Sequence, residues 1–96
     1  MTKRFEWDRA KAARNAQKHG VTFDEARTVF ADPLAGIGPD PDHSSKAEDR
    51  ELIAGQGSRS RLLLVSFVEH GDMVRIISAR PLTRYERRLY EEEKFP

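Results

Sequence analysis

The sequence contains no cysteine, and its 96 residues include no long run of apolar side chains. The absence of cysteine excludes disulfide bonds, thiolate metal sites, iron-sulfur clusters and cysteine nucleophiles, and it is typical of a reducing cytosol. The longest strictly apolar run, residues 62–65, is far too short to span a membrane. The polar start of the chain lacks the apolar core of a signal peptide. We therefore expect a cytoplasmic protein that does not bind a membrane.

Large apolar side chains are also few, since Leu, Ile, Val and Phe account for 21 of the 96 residues. A proportion this low approaches that of disordered chains, but such chains usually carry a high net charge, and this one carries +1. The length is that of one small domain with one core. We therefore predict a single domain over residues 1–96, whose thin core is completed by a partner or by oligomerisation.

The small net charge conceals a strong segregation of charge along the chain. Residues 1–20 have a net charge of +4, residues 21–58 of −5, residues 59–90 of +4, and the last six residues of −2. The basic segment 59–90 relies on arginine, whose guanidinium group matches phosphate geometry better than the lysine ammonium does. A fold that joins the two basic segments would have a cationic face suited to a polyanion. The alternative is that these charges only solvate helix and strand surfaces.

Capping residues and apolar spacing predict the secondary structure. Asp8 as N-cap and Gly20 after the last turn bracket a first helix. Thr22 and Thr83 each open a capping box with a Glu three residues later. The pattern predicts helices over residues 9–19, from 23 to the Asp32-Pro33 pair and from 83 to about 94, and strands over residues 5–7, 34–37, 50–55, 61–69 and 73–79.

The order of these elements predicts an α+β sandwich, in which an antiparallel sheet of about four strands has one face covered by helices. His70 and Gly71 are expected to form the hairpin turn between the last two strands. Residues 38–45 read as an acidic loop. The first helix is expected to pack on the sheet through the face that carries Ala10, Ala13 and Ala16. The opposite face, with Lys11, Arg14 and Lys18, is expected to be exposed.

The motifs of several enzyme classes are missing. The sequence has no glycine-rich phosphate loop, no His-Glu-x-x-His and no Gly-x-Ser-x-Gly. Its three histidines, His19, His43 and His70, lack metal-ligand spacing. Asp40 and Asp42 with His43 could hold a metal, but a proline-containing acidic loop is more often only solvated. We therefore predict no metal and no cofactor.

The chemistry that remains is cationic. Arg80 follows a predicted strand and lies beside the N-terminus of the last helix, where an anion is favoured. Lys18 and His19 occupy the last turn of the first helix. There they either complement the helix dipole or act as phosphate ligand and proton donor. Arg84 and Arg88, four residues apart, are consistent with a solvated helix face.

Short motifs over nearly the whole chain resemble the BrnT family of type II toxin-antitoxin toxins. They are Trp7-Asp8, Lys18-His19-Gly20-Val21, Phe23, Ala26, Val29-Phe30, Asp32-Pro33, Arg50, Gly55, the strand 62–67, Ile76-Ile77-Ser78-Ala79-Arg80 and Glu86-Arg87. The resemblance covers about residues 5–90. It implies a RelE-like ribonuclease fold, RNA cleavage that arrests translation, and a BrnA-like antitoxin with a DNA-binding ribbon-helix-helix part.

The basic residues are consistent with RNA cleavage, because the ribose 2′-OH can attack its own phosphate. The protein must then align the two groups, transfer protons and neutralise charge, which Arg, Lys and His do without a metal. We assign Arg80 and Arg87 to the phosphate, Lys18 to charge stabilisation, His19 to proton transfer, and Glu86 to orienting an Arg or acting as a base. Further RNA contacts are expected from Lys11, Arg14, Arg50, Arg61 and Arg84.

Two functions of different classes remain open at this point. The first is a metal-independent endoribonuclease toxin. The second is a non-catalytic module, such as a gyrase-inhibiting toxin of the same fold, whose basic face only docks nucleic acid or protein. The resemblance further implies a two-plus-two complex with a dimeric BrnA-like antitoxin, which binds operator DNA through the antitoxin.

Overall fold

The computed structural model describes residues 3–40 and 49–95. Its elements in chain order are β1 (Arg4–Glu6), α1 (Arg9–His19), α2 (Phe23–Arg27), a 3₁₀ turn (Thr28–Ala31), β2 (Gly36–Pro39), β3 (Glu51–Gln56), β4 (Leu62–His70), β5 (Met73–Pro81) and α3 (Arg84–Glu91). The strands form one sheet in the order β1-β5-β4-β3-β2. Residues 41–45 of the predicted acidic loop, with Asp42 and His43, lie outside the described residues.

The α+β class is confirmed, but the prediction of an antiparallel sheet of about four strands is wrong. The sheet has five strands and is mixed, because β1 pairs in parallel with β5 at Phe5 and Val74. Aromatic contacts hold β1 at this edge: the Phe5 ring lies 5.2 Å from that of Phe30. The next aromatic residue, Trp7, lies 5.9 Å from Phe23. A three-residue strand carries no pattern that reveals its pairing direction, so only these long-range contacts determine it.

The main core lies between the sheet and the two N-terminal helices. Residues that pair directly across adjacent strands share a face of the sheet. The row Ile53, Val65 and Ala79 therefore faces α1 and α2, and all three side chains are buried. The helical side supplies Val21, Phe23, Ala26 and Val29. We call this the inner face of the sheet.

The opposite, outer face is covered only at one end, which corrects the prediction that one face alone is covered. A second cluster of Ala54, Leu64 and Leu82 lies there, with Tyr90 and Phe95 of the C-terminal segment packed on it. Although α3 lies there, it has no fully buried residue of its own. The described residues leave the remainder of the outer face open.

The predicted limits of α1 are confirmed. The Asp8 carboxylate accepts a hydrogen bond from Lys11 N at 3.0 Å, and Gly20 ends the helix with φ +68°. The predicted packing face is wrong, because Ala10 and Ala13 are exposed while Asn15 is buried. Hydrogen bonds of the Asn15 amide determine this rotation of the helix. Lys11, Arg14 and Lys18 are exposed, as predicted.

The other helix and turn signals are confirmed only in part. Thr22 caps α2 by accepting from Glu25 N at 3.1 Å, but the Glu25 carboxylate bonds Arg61 instead of completing a capping box. The predicted single helix is divided, because α2 ends at Arg27 and a 3₁₀ turn follows, but helical structure stops before Asp32-Pro33 as predicted. The capping box of Thr83 is complete, although α3 ends at Glu91. Gly71 and Asp72, rather than His70, form the hairpin turn, with Gly71 at φ +60°.

Candidate functional site

The open part of the outer face contains a cavity of about 350 Å³ between the C-terminus of α1 and the strands. Arg80 of β5 pairs with Leu64 of β4, and Ser78 pairs with Ser66, so these four side chains share the outer face. The residues that line this cavity are Lys18, His19, Leu52, Leu64, Ser66, Ser78, Ala79 and Arg80. The lining thus combines cationic, imidazole and hydroxyl groups and includes no carboxylate.

A second cavity of about 270 Å³ adjoins the first along the sheet. The two cavities share Leu52, Leu64, Ser66, Ser78 and Arg80. The second one adds Ile77, Asp40 and Arg50. Asp40 follows β2 and Arg50 precedes β3, and Asp40 N donates a backbone hydrogen bond to Arg50 O. Together they form a continuous groove on the outer face, which we call the sheet groove.

Arg80 is held at the groove by Glu86 of α3. Its two terminal nitrogens donate to the two carboxylate oxygens at 2.8 and 2.9 Å, and Glu86 also accepts from Thr83 N at 2.9 Å. The hydrogen bond to Arg80 lowers the pKa of Glu86, and the same contact raises the pKa of Arg80. Glu86 thus contacts Arg80 through both carboxylate oxygens, and this geometry favours the predicted orienting role over the role of a base, although both roles stay predictions.

Asn15 places the end of α1 beside the last residues of β5. Its amide nitrogen donates to Val21 O and to Ala79 O, both at 2.9 Å, and its amide oxygen accepts from Ala79 N at 3.0 Å. Ala79 immediately precedes Arg80, while Lys18 and His19 follow Asn15 by about one helical turn. One buried side chain thus sets the distance between the cationic groups on the two elements.

Asp32 anchors α3 over the outer face. Its Oδ2 accepts from Tyr90 Oη at 2.6 Å and from Gln56 N at 2.7 Å, and its Oδ1 accepts from Leu34 N at 2.9 Å. Burial opposes the charge of Asp32, but these hydrogen bonds prevail and lower its pKa. Burial and the bond to Asp32 raise the pKa of Tyr90 to about 12. Hydrogen bonds of Asp32 therefore join α3, which carries Glu86, to the segment before β2 and to the last residue of β3.

Three of the five predicted catalytic residues, Lys18, His19 and Arg80, lie at one cavity, and Glu86 contacts the third of them. Arg87 lies elsewhere: it lines a separate cavity of about 530 Å³ beside Leu62 and Pro81. The catalytic roles of all five stay predictions.

The predicted RNA-binding residues are dispersed over the surface. Lys11, Arg14 and Arg84 are exposed, and Arg50 lines the sheet groove. Arg61 is bound to the carboxylate of Glu25, whose side chain is 3% exposed, and this hydrogen bond raises the pKa of Arg61. Its guanidinium neutralises a buried acid, which is a sufficient structural reason for its presence.

Sequence reasoning missed Asn15, Ser66, Asp32 and Tyr90 as residues that build the site. An Asn among the alanines of an amphipathic helix was the available signal for Asn15, whereas nothing local distinguishes Ser66 within an apolar strand. Over residues 3–40 and 49–95, no group of three or more His, Asp or Glu side chains is arranged to hold a metal ion. No helix in this part of the chain is long and apolar enough to cross a membrane.

The chain matches the model of a known protein family and is similar to a solved structure. Residues 7–86 match the family model of the ribonuclease toxin BrnT of type II toxin-antitoxin systems. The fold is similar to the 1.1 Å crystal structure of the Brucella abortus ribonuclease toxin BrnT, with a TM-score of 0.61 and 23% identity over 86% of this chain and 100% of that one. A search of curated proteins finds no match.

Proposed function

Since the chain belongs to the BrnT family of ribonuclease toxins of type II toxin-antitoxin systems, we propose that it cleaves RNA without a metal ion and thereby arrests translation. The observation that carries this proposal is the sheet groove, where Lys18, His19 and Arg80 line one cavity without a carboxylate. Such a lining attracts a phosphodiester and supplies both charge and a proton-transfer group.

The proposed reaction uses the substrate's own nucleophile. The ribose 2′-OH loses its proton and attacks the adjacent phosphorus, the bond from phosphorus to the 5′ oxygen breaks, and a proton goes to that oxygen. The products are a 2′,3′-cyclic phosphate and a 5′-hydroxyl end. His19 transfers protons, Lys18 stabilises the charge that develops, and Arg80 binds the phosphate oxygens.

Two further residues support the reaction from α3. Glu86 keeps the Arg80 guanidinium in place through two hydrogen bonds, which reduces the reorganisation needed when the phosphate binds. Arg87 lines the cavity beside Pro81, the residue after Arg80, and binds a phosphate of the RNA there. The exposed side chains of Lys11, Arg14 and Arg84, with Arg50 in the groove and Arg61 beside Arg87, extend the cationic surface for the rest of the strand.

The proposed partner is a BrnA-like antitoxin whose ribbon-helix-helix part binds operator DNA. A ribbon-helix-helix protein is dimeric, so that two toxin chains and two antitoxin chains form the stored complex. An acidic or polar antitoxin surface over the sheet groove would neutralise its cations and exclude RNA.

The test is incubation of the purified protein, freed of antitoxin, with RNA in the presence of EDTA. We expect cleavage that persists with the chelator and leaves 2′,3′-cyclic phosphate or 3′-phosphate ends, and an Arg80→Ala protein prepared in parallel controls for contaminating nucleases. Products with 5′-phosphate and 3′-hydroxyl ends, or loss of activity with EDTA, would contradict the proposal. A wild-type protein that binds RNA or gyrase without cleavage would indicate the non-catalytic module instead.

A further inference from the structure

Ser66 carries a buried hydroxyl with no hydrogen-bond partner among the residues that the structure describes. The residue is 7% exposed and lies in the middle of β4, among the apolar side chains of that strand. Burial of a hydroxyl without a partner destabilises the folded state, whereas alanine would fill the same place at no such cost. Its presence therefore calls for a partner that is not among the described residues.

The position of Ser66 indicates where that partner binds. Ser66 pairs with Leu52 on one side and with Ser78 on the other, and it belongs to the lining of both cavities of the sheet groove. The neighbouring row of the outer face pairs Leu64 with Arg80. Two residues along a strand span about 7 Å, so the serine row lies within one nucleotide of the Arg80 row.

The surroundings of Ser66 select an anion as the partner. Lys18, His19 and Arg80 line the first cavity with it, and no carboxylate does. The second cavity adds one carboxylate, that of Asp40, together with the guanidinium of Arg50, so that basic groups outnumber acidic ones around Ser66. A serine hydroxyl donates one hydrogen bond, and a bond to a charged acceptor is stronger than one to a neutral acceptor. Because Ser66 lines both cavities, rotation between staggered positions about its Cα–Cβ bond can bring the hydroxyl to the groove without movement of the strand.

We propose that Ser66 binds the RNA backbone, donating its hydroxyl hydrogen bond to a non-bridging phosphate oxygen in the sheet groove beside Arg80. The proposal deepens the proposed function and rests on it, since it takes RNA as the ligand. It assigns Ser66 a substrate contact and no role in folding. Removal of the hydroxyl therefore lowers activity and leaves stability unchanged or improved, which is the opposite of what removal of a structural hydrogen bond does.

The experiment compares wild type, Ser66→Ala and Ser66→Cys with the matched control Ser58→Ala, an exposed serine in the turn between β3 and β4. The substrate is a short RNA across the cleavage site mapped with wild-type protein, made with stereodefined phosphorothioates at the scissile phosphate and at the phosphate on either side. We expect a fall in kcat/KM of roughly ten- to a hundredfold for both Ser66 variants and no change for Ser58→Ala. We also expect one phosphorothioate to slow wild type and to have no added effect in Ser66→Ala.

The outcomes separate this proposal from the one on which it rests. If wild type cleaves RNA and Ser66→Ala cleaves it equally well, the role of Ser66 is overturned and the proposed function stands. The same holds if Ser66→Ala loses activity only because its unfolding midpoint is lowered. If the effect of Ser66→Ala depends on a 2′-deoxy substitution in the RNA and not on any phosphorothioate, Ser66 contacts the sugar, and the phosphate contact is overturned. If wild type does not cleave RNA, the proposed function fails. The affinities of wild type and Ser66→Ala for the same RNA then test the contact of Ser66. Binding at least tenfold weaker in Ser66→Ala supports the contact, and equal binding rejects it.

Discussion

Asn15 and Ala79 exchange two hydrogen bonds between α1 and β5, in which the side-chain amide binds the backbone as a neighbouring strand would. The edge strand β1 pairs only with residues 73–75 of β5. On the side of β5 that faces away from β4, no strand pairs with Ala79, and the Asn15 amide satisfies both its N–H and its C=O. Because Arg80 follows directly, the same contact positions the cationic end of β5 relative to Lys18 and His19.

Replacement of Asn15 by Ala should therefore destabilise the protein strongly. The change leaves the Ala79 N–H, the Ala79 C=O and the Val21 C=O without their partner in a buried site. We expect a loss of about 2–4 kcal/mol in the free energy of unfolding, measured by urea denaturation. Gln17→Ala, an exposed substitution in the same helix, is the control. Equal stability of the two variants would show that water replaces the Asn15 amide.

Replacement of Tyr90 by Phe should loosen α3, because it removes the 2.6 Å hydrogen bond to Asp32. A hydrogen bond to a carboxylate of this kind contributes about 1–2 kcal/mol to the free energy of unfolding. Tyr85→Phe is the matched control, since Tyr85 lies on the same helix and is 66% exposed. The prediction is wrong if the two variants have the same urea midpoint.

The same tyrosine predicts a pH dependence at the alkaline end. The pKa of Tyr90 is raised from 10.0 to about 12, so the protonated phenol is favoured in the folded protein. Its stabilising contribution is complete below pH about 10 and is lost as the pH rises through about 12. The difference in free energy of unfolding between wild type and Tyr90→Phe should therefore shrink across this interval, while the difference for Tyr85→Phe stays constant.

Much of this fold is predictable from the sequence because its signals are local. The side chain of Asp8 caps the start of α1, and the left-handed backbone of Gly20 ends it. The Thr83 capping box forms as its spacing indicates. The parallel pairing of β1 was not predictable, since it depends on aromatic contacts with distant residues. The rotation of α1 was missed for a similar reason: the Asn15 amide overrides the apolar periodicity by bonding a strand 64 positions away.

The candidate site was predictable in composition but not in arrangement. The local sequence does not show that Lys18 and His19 of α1 share a cavity with Arg80 of β5, because the packing of α1 on β5 through Asn15 brings them together. Glu86 was left with two roles, and only its contacts with both terminal nitrogens of Arg80 favour the orienting one. The RelE-like relation that the resemblance implies stays a prediction.

Arg80→Ala should lower RNA cleavage by roughly a hundredfold or more, since it removes a preorganised cation from the transition state. Arg80→Lys keeps the charge but loses the planar fork, and it should recover only part of the activity. Arg59→Ala, in the exposed turn between β3 and β4, is the control. Growth arrest in cells and cleavage of purified RNA are the measurements. Full toxicity of folded Arg80→Ala protein would remove Arg80 from the reaction, whereas full toxicity of Arg80→Lys would show that the charge suffices without the planar fork.

The ion pair of Arg80 and Glu86 predicts a loss of stability in acid. The pKa of Glu86 is lowered from 4.5 by its hydrogen bond to Arg80, so the charged form is favoured in the folded state. The stabilising contribution is present above pH about 4.5 and is lost as the pH falls through the lowered pKa. The stability difference between wild type and Glu86→Gln should thus be constant near neutral pH and vanish in acid. A difference that grows in acid would contradict this sign.

We expect an antitoxin to bind apolar surface that the described residues leave exposed. Leu34, just before the edge strand β2, is 65% exposed, and Ile37, within that strand, is 53% exposed. Tyr85 of α3 is exposed as well. A partner that covers apolar side chains of this size together with the cationic groove gains both a buried core and complementary charge. We expect co-expression with the adjacent small open reading frame to yield one complex of two chains of each kind, measured by size-exclusion chromatography with light scattering.

Salt should separate the two contributions to that complex. Attraction between a polar antitoxin surface and the groove acts over the Debye length, so added salt should lower the association rate constant. The apolar contact is insensitive to salt, and the dissociation rate constant should change little. Leu34→Ser should raise the dissociation rate, whereas Arg14→Ser on the exposed face of α1 should lower only the association rate. A stable monomer that elutes beside a folded, unbound neighbour would contradict both the partner and the storage of this toxin as a complex.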